Sequence, residues 1–495
     1  TGNDFIYEDD FAEAADEYLL KSAQKDEEGN RMVANTDTNG RFHSDWLSMI
    51  FPRIKLARNL LRDDGVIFIS IDECECHNLR KLCDEVFGED NFVGNVIWER
   101  AFAPKNDAKF ISDSHDHILI YSKSLASFSI GLLPRTEEAN ERYKNPDNDP
   151  RGPWMSDNIT VKTYSASYDY EIKTPSGKKV RPTDGRCWFT NKERMEFLIK
   201  DNRIWFGQDG NNVPRLKRFL SEVQAGMVPI SIWPHKDVGH NQEGRQEVKK
   251  LFSDKGFFDG PKPVRLLERV LEVANTEKDS VIFDFFAGSS TTAHAVMQLN
   301  ARDQGRRKFI MVQLPEICDE KSEAFKAGYK NIAEIGKERI RRAGKKIKEE
   351  NPLTTKELDI GFRVLKVDSS NLADVYYTAD SAKQDTLNFA VDNIKPDRSS
   401  EDLLFQVLLD WGVELSLPIK KEKVAGIEVY FVDDNALAAC FAKSGEITDE
   451  FCKELARRQP LRAVFRDSGF KDDGAKINAE QIFKLISPHT EVKSL

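Results

Sequence analysis

The stretch from Val281 to Ala295 constrains the fold of this chain more than any other part of the sequence. It starts with a short apolar run rich in β-branched and aromatic residues, which is typical of a buried strand. A turn of small residues around Gly288 follows, and Ser289 or Ser290 is placed to cap the helix that comes next. The glycine lets a ligand approach the backbone, and the first N–H groups of the helix then face that ligand. The stretch therefore predicts a site for a nucleotide-like ligand.

An acidic residue after the next predicted strand narrows the choice of ligand. The segment Lys308–Glu316 reads as a second strand that ends in a carboxylate. In a βαβ unit such a carboxylate lies beside the first turn, where it can accept hydrogen bonds from ribose hydroxyls. NAD and S-adenosylmethionine both fit this pattern, but the turn lacks the G-x-G-x-x-G spacing of dinucleotide sites. An ordinary buried strand, turn and helix is the alternative without a ligand.

The segment Asp284-Phe285-Phe286-Ala287-Gly288-Ser289-Ser290-Thr291-Thr292-Ala293-His294-Ala295 resembles the cofactor motif of β-class DNA amino-methyltransferases. Its extended form is similar to the modification (Mod) subunit of type III restriction-modification systems, as are Val238–Glu243 and Val464–Asp473. The resemblance implies an α/β, Rossmann-like sheet that binds S-adenosylmethionine and transfers its methyl group to adenine N6 in duplex DNA. Ser290 departs from the family, which mostly has a second glycine there, so we expect weakened but not abolished cofactor binding.

The same resemblance assigns the cofactor residues. In this chain a Lys-Pro element precedes the predicted helix that starts at Val264. In β-class enzymes the corresponding element lines the methionine side of the cofactor pocket. The candidate cofactor-binding residues are Lys262, Pro263, Asp284, Phe285, Phe286, Gly288, Ser289, Ser290, Thr291 and Glu316. His240, near the end of the preceding region, is interpreted as a structural histidine.

The adenine pocket of this family is built on Asp-Pro-Pro-Tyr, and that tetrapeptide does not occur in the sequence. In type III subunits it runs directly into Asn-Thr-Gly-Asn-Asp-Phe, whereas this chain opens with Thr1-Gly2-Asn3-Asp4-Phe5. We therefore expect the catalytic motif to lie just upstream of Thr1 and name no catalytic residue. We also expect the chain by itself not to methylate DNA. Asp72, at the end of a predicted strand, is at most a neighbour of the pocket.

Four regions follow from these patterns. Residues 1–125 and 251–350 alternate strands and helices, which favours a parallel, doubly wound sheet, and we interpret them as the two halves of a methyltransferase domain. Residues 126–250 are rich in Gly, Pro, Asn and Asp and lie where β-class enzymes carry an inserted target-recognition domain. Residues 351–495 begin with a linker, Asn351–Thr355, and predict a C-terminal α+β domain for oligomer or partner docking.

Basic and aromatic residues alternate within the insertion, a pattern that suits phosphate contact and base stacking. The alternative is a solvated, irregular segment whose charges have no binding role. The candidate DNA-contacting residues are Lys178, Lys179, Arg181, Arg186, Arg203, Arg215 and Lys217. A second basic segment, Tyr329–Lys348, predicts a helix with a solvated face. Contact of its Arg339, Arg341 and Arg342 with DNA phosphates is the less favoured interpretation.

Composition argues against membrane and disulfide-framework classes. No apolar run approaches the roughly 18 residues of a membrane helix, and the first residues show no signal-peptide pattern. Seven cysteines, an odd number, suggest a reducing cytoplasm. Cys74, Cys76 and His77 have no second ligand pair at a suitable spacing, so we expect no metal. The net charge of −10 does not indicate a nucleic-acid binder, but it leaves local basic patches open.

The partners are implied by the resemblance alone. Type III Mod subunits act as homodimers on duplex DNA and associate with an ATP-dependent restriction (Res) subunit, and we expect the same here. Two other interpretations remain open. One is a non-catalytic DNA-recognition or assembly fragment of such a system. The other is a dinucleotide-dependent oxidoreductase, and the βαβ unit is the only feature of the sequence that supports it.

Overall fold

The computed structural model describes residues 42–104, 109–223, 226–258, 260–373, 394–443 and 445–495. The opening segment Thr1–Phe5, on which the placement of the catalytic motif rests, lies outside the described residues. The chain divides into two compact units, Thr1–Gly361 and Phe362–Leu495. Within the described ranges no helix is both long enough and apolar enough to cross a membrane.

The first unit contains short strands and helices in alternation. Its strands are β1 (Val66–Ile71), β2 (Phe92–Glu99), β3 (His115–Ser122), β4 (Leu133–Pro134), β5 (Trp154–Asn158), β6 (Thr160–Val161), β7 (Ile172–Lys173), β8 (Lys179–Val180), β9 (Cys187–Trp188), β10 (Ile204–Trp205), β11 (Arg215–Phe219), β12 (Gly226–Met227), β13 (Ile232–Trp233), β14 (Val281–Asp284) and β15 (Lys308–Met311). Its helices are α1 (Phe42–Leu60), α2 (Glu73–Phe87), α3 (Glu137–Asn140), α4 (Lys192–Lys200), α5 (His235–Val238), α6 (Asn241–Leu251), α7 (Val264–Val273), α8 (Thr291–Asp303), α9 (Glu323–Lys326) and α10 (Ile332–Glu350).

The first sheet has the order β1-β3-β2-β13 and is mixed. Strand β3 runs antiparallel to both β1 and β2, and only β13 is parallel to its neighbour β2. The expectation of a parallel sheet in residues 1–125 is therefore wrong in strand direction, although the α/β class is confirmed. The described residues between β2 and β3 include no helix, and a parallel return requires a crossover about a dozen residues long that is usually helical.

Helices cover both faces of this sheet. On one face, α1 and α2 contribute buried residues such as Ile54 and Leu79, which pack with Leu119 and Tyr121 of β3. On the other face, Trp98 and Ile118 pack with Trp233 and with residues of α7. Asp72 caps α2 by accepting from the Cys74 N–H, so its carboxylate helps to fix where that helix begins.

The second sheet confirms the predicted βαβ unit. Strands β14 and β15 are parallel, with Val281 opposite Lys308 and Asp284 opposite Met311, and α8 connects them. Helix α8 packs on α7 through small and branched side chains such as Ala295 and Val296. Strand β15 ends at Met311 rather than at Glu316, and the residues that follow include Pro315, which has no N–H to donate to a ladder. Glu316 consequently lies in the loop after the strand.

The inserted region has a core of its own. Strands β10, β11 and β5 form an antiparallel sheet, and β6 with β9 and β7 with β8 form short antiparallel pairs. Buried residues including Trp188, Met195 and Phe206 form one cluster among these elements. The region is therefore a folded body and not the irregular loop of the alternative interpretation.

The second unit is an α+β body. Its strands are β16 (Ile419–Val424), β17 (Ile427–Val432), β18 (Leu437–Cys440), β19 (Arg462–Phe465) and β20 (Glu491–Ser494), and its helices are α11 (Ser400–Asp410), α12 (Asp449–Arg457) and α13 (Asp473–Ile486). The sheet follows chain order, with antiparallel pairs up to β18 and parallel pairs after it. The switch follows from the connections, because α12 and α13 carry the chain back between the last three strands.

Candidate functional site

A single carboxylate, that of Asp284, holds both ends of the turn after β14. Asp284 Oδ1 accepts from the Phe286 N–H at 3.1 Å, and Oδ2 accepts from the Thr292 hydroxyl at 2.6 Å. Gly288 has a φ of 51°, and its N–H donates to the side-chain oxygen of Gln313 at 2.6 Å. The turn is thus fixed to the first turn of α8 and to the loop after β15. Gln313 was not singled out from the sequence, where it reads as an ordinary strand residue.

Neither serine caps α8. Ser290 stands at the N-cap position with a φ of 59°, and its side chain makes no capping hydrogen bond. A side-chain cap needs an extended backbone at that position, and the left-handed backbone of Ser290 does not supply it. Ser289 accepts instead from Arg339. The expectation of a serine cap is therefore wrong, and both hydroxyls serve the packing of the turn against α10.

Arg339 of α10 supports the turn after β14 through hydrogen bonds from its buried side chain. It is fully buried, and its Nη1 donates to Ser289 Oγ at 2.7 Å and to Thr291 Oγ1 at 2.6 Å. Glu247 of α6 is the nearest carboxylate, 4.0 Å from Nη2. Burial lowers the pKa of Arg339 to about 10 and raises the pKa of Glu247. The interpretation of Arg339 as a phosphate-contacting residue is wrong, because a side chain with no exposed surface cannot reach DNA.

Lys262 approaches the same turn from the first sheet. Its ammonium lies 5.8 Å from the centre of the Trp98 ring, and burial lowers its pKa, while Asp116 and Asp284 act in the opposite sense. Asp116 itself is ion-paired to Arg100 at 2.8 Å. Lys262 therefore sits where the first sheet and the β14 turn meet, which brings residues of both predicted halves together.

The segment before α7 is shaped by two glycines. A Cβ at Gly244 would lie 2.2 Å from the Pro261 carbonyl oxygen, and one at Gly239 would lie 2.8 Å from Pro263 Cβ. Gly239 also accepts, through its carbonyl, from the Trp98 indole N–H at 3.0 Å. Backbone around Lys262 and Pro263 is consequently packed directly against the segment that contains His240. His240 itself is half-buried, with its ring against Phe102 and His235.

The remaining cofactor candidates are Phe285, Phe286 and Glu316. Phe285 packs against the α1–α2 cluster, whereas Phe286 is partly exposed and its ring lies 5.1 Å from that of Phe285 in a tilted arrangement. The loop that contains Glu316 runs beside the turn, because the Ala287 N–H donates to the Val312 carbonyl at 3.1 Å. Within the described part of the chain the Glu316 carboxylate has no hydrogen bond or ion pair, so it is available to a ligand.

The candidate DNA residues differ in how far their side chains are exposed. Lys217 is fully buried and pairs with Asp147 and with Asp149, the latter at 3.1 Å, so the structure excludes it from DNA contact. Arg203 makes ion pairs to Asp201 and Glu222. Arg186 donates to the hydroxyl and the carbonyl of Thr160. The exposed members of the set are Lys178, Lys179, Arg181 and Arg215. Of these, Lys179 is ion-paired to Glu171, and Arg215 donates to the hydroxyl and the carbonyl of Ser156.

Comparison with known proteins places the chain among DNA methylases. The Type III restriction-modification enzyme StyLTI Mod subunit of Salmonella typhimurium is 39% identical over 325 residues, which cover 65% of this chain and 48% of that subunit. The EcoPI Mod subunit of Escherichia phage P1 is 32% identical over 74% of this chain and 60% of its own length, and the EcoP15I Mod subunit of Escherichia coli is 29% identical over 95% and 76%. The chain thus spans about half the length of the StyLTI subunit. The N6_N4_Mtase family, described as DNA methylase, matches residues 20–334, and the chain belongs to this family.

Proposed function

We propose that the chain binds S-adenosylmethionine at the turn after β14, as the modification subunit of a type III restriction-modification system that methylates adenine N6 in duplex DNA. The main observation in support of the proposal is the turn after β14, which hydrogen bonds to Asp284 and from Arg339 hold in place. Gly288 leaves the turn without a side chain, and Lys262 lies close enough to interact electrostatically with Asp284. The Glu316 carboxylate, which has no partner among the described residues, lies in the adjoining loop. The family match and the three Mod relatives supply the reaction class.

The residues fit this cofactor. A Cβ at Gly288 would approach the Phe258 ring to 3.3 Å, so any side chain at this position would crowd the turn where we place the ligand. The Glu316 carboxylate can accept from ribose hydroxyls, and the Lys262 ammonium can donate to the carboxylate of the methionine end. Phe286 offers an exposed ring for stacking, and the Asp284–Thr292 hydrogen bond holds the turn in place. Bound S-adenosylmethionine would supply the electrophilic methyl group.

DNA binding belongs to the same proposal. We assign sequence reading to the part of residues 126–250 that precedes β13, because β13 itself joins the first sheet. Lys178, Lys179, Arg181 and Arg215 are the cations that reach the phosphates. This is supported by their exposure on a body with its own core. The regions 1–125 and 251–350 would together form the methyltransferase domain. The region 351–495 would dock a second copy of the subunit or the Res subunit.

Calorimetric titration of the full-length chain with S-adenosylmethionine tests the cofactor site. We expect saturable binding in the wild type and its loss in Gly288→Val, because a branched side chain would fill the space above the turn. Gly94→Ala is the matched control, since a Cβ at Gly94 meets nothing within 4 Å. Unchanged affinity in Gly288→Val, or saturable binding of NAD at the same site, would overturn the assignment.

A further inference from the structure

A group of metal-ligating side chains meets at one end of the first sheet, apart from the β14 turn. One potential ligand atom from each of Glu73, His115 and His117 lies within 4.8 Å of the other two. The register explains the meeting. His117 pairs with Ile71, two residues before Glu73, and His115 and His117 project on the same face of β3. The Glu73 Oε2 and His117 Nε2 atoms are 2.5 Å apart, and the two imidazole centroids are 5.1 Å apart.

Each histidine also has an oxygen beside its Nδ1 atom. Asp113 Oδ1 lies 3.4 Å from His115 Nδ1. The side-chain amide of Asn95 lies beside His117 Nδ1, with its Nδ2 atom at 3.1 Å and its Oδ1 atom at 3.4 Å, and a half-turn of the amide places the oxygen at Nδ1. An acceptor at Nδ1 favours the tautomer that carries its proton there, which leaves the lone pair on Nε2 for a metal. Metal-bound histidines commonly have such a carboxylate or amide partner behind the ring. Asp113 therefore orients the His115 ring for coordination, and Asn95 does the same for His117 once its amide has turned over.

We propose that Glu73, His115 and His117 bind a zinc ion. Two imidazole nitrogens and one carboxylate oxygen form a ligand set that zinc accepts, whereas magnesium and calcium prefer oxygen ligands alone. Ligand atoms around tetrahedral zinc are about 3.4 Å apart. The Glu73 side chain, 70% exposed, can turn away from His117 by the ångström that this requires. Three protein ligands leave one position for water on the exposed side of the site.

A simple ion pair accounts for less of this arrangement. It explains the contact between Glu73 and His117 but not the second imidazole beside it or the Asp113 carboxylate behind that imidazole. The first unit offers a matched pair for comparison, His235 and Glu99, whose atoms are 2.7 Å apart. In the described part of the chain no other group of three such ligands meets as closely. The ligands come from segments far apart in the sequence, which is why the spacing of Cys74, Cys76 and His77 did not reveal them.

The test is a calorimetric titration of tag-free, chelator-treated full-length protein with ZnCl2. We expect one site per chain, at least tenfold weaker in His117→Gln and in Glu73→Gln. Asn95→Leu should weaken binding by about tenfold, as is typical when a partner behind a metal-bound histidine is lost. His235→Gln should bind as the wild type does, and MgCl2 should give no saturable heat.

Two further readouts separate a site from nonspecific binding. CoCl2 should give visible absorption bands in the wild type that are absent in His117→Gln. Zinc should raise the melting temperature of the wild type but not of Glu73→Gln, whose substitution on an exposed side chain leaves the fold intact. Zinc affinity unchanged in a folded His115→Gln/His117→Gln double variant would refute the site, as would the absence of saturable binding in the wild type.

Discussion

At the scale of single residues, Arg339 holds the proposed cofactor site in shape through its buried hydrogen bonds. Its guanidinium is the buried donor that holds Ser289 and Thr291, the two hydroxyl residues on either side of the strained Ser290. It lies on the stripe Ile335, Arg339, Ala343 and Ile347, which repeats every four residues and is buried throughout. That spacing is the signal in the sequence which could have identified Arg339 as an inward-facing residue.

Replacing Arg339 by methionine removes both hydrogen bonds while keeping an unbranched side chain of similar length. We expect S-adenosylmethionine affinity to fall by about tenfold, or about 1.4 kcal/mol, because the turn loses its brace. Calorimetric titration measures this. Arg341→Met on the exposed side of the same helix is the matched control and should bind cofactor normally. Equal affinity in the Arg339→Met and Arg341→Met variants would contradict the bracing role.

His294 makes the stability of the first unit depend on pH. The residue is buried in α8, and desolvation, followed by the charges of Arg339 and Lys346, lowers its pKa to about 3. The folded state therefore keeps the ring neutral, whereas the unfolded chain takes up a proton below about pH 6.5. Stability from this group is complete above that value and is lost as the pH falls towards 3, by up to about 1.4 kcal/mol per pH unit.

Urea unfolding between pH 7 and 4.5 tests this dependence. In His294→Leu we expect the free energy of unfolding to fall less steeply with decreasing pH than in the wild type. His489→Leu, at an exposed position of the second unit, should keep the wild-type slope. Parallel slopes in the wild type and in His294→Leu would show that the buried ring does not control acid stability.

At the level of elements, the turn between β14 and α8 contains a residue under strain. Ser290 adopts a left-handed backbone, which costs a non-glycine residue about 1–2 kcal/mol. Ser290→Gly should therefore raise the free energy of unfolding by up to about 1 kcal/mol, after the greater entropy of glycine in the unfolded chain is deducted. Ser289→Gly should be destabilising, because it removes the hydroxyl that accepts from Arg339. Thermal unfolding of the two variants with and without cofactor compares them directly, and destabilisation by both would show that Ser290 is not strained.

The insertion offers a test of which cations serve structure and which serve DNA. Lys217→Met leaves Asp147 and Asp149 without their shared buried partner, and breaking a buried pair costs roughly 3–5 kcal/mol. Arg215→Met, on an exposed residue of the same strand, should leave stability nearly unchanged. Its DNA binding should become weaker and less dependent on salt, by about one unit of the salt slope. Nitrocellulose filter binding at several salt concentrations measures the second effect, and an unchanged slope would remove Arg215 from the DNA-contacting set.

Local patterns in the sequence predicted the elements better than their pairing. The β14 strand, its turn and α8 were predictable because a short apolar run followed by small residues is a local signal. The antiparallel direction of β3 was not, since it depends on the path of the chain between Glu99 and His115. The role of Lys217 was hidden for a similar reason, because its partners lie in a different segment of the insertion and are brought close only by the fold.

On the scale of the whole molecule, the two compact units predict a separation of roles. Truncation after Gly361, the last residue of the first unit, should spare S-adenosylmethionine binding, because every proposed cofactor contact lies before that residue. If the second unit docks partners, the same truncation should abolish association with a Res subunit or with a second copy. Sedimentation and co-precipitation with purified Res measure this. A truncated protein that still captured Res would place the docking surface in the first unit.

The pairing of β13 with β2 sets an order for folding. Trp98 and Trp233 lie side by side in the sheet, yet most of the inserted region separates them along the chain, since β13 lies near its end. Closing so long a loop is entropically costly when the loop is unfolded, but the insertion can first collapse around its own core at Trp188. During synthesis the edge of β2 therefore stays open until residues beyond Trp233 have left the ribosome. For that interval the nascent sheet presents unpaired backbone to other chains, and an insertion that has already collapsed shortens only the further delay before β13 pairs with β2.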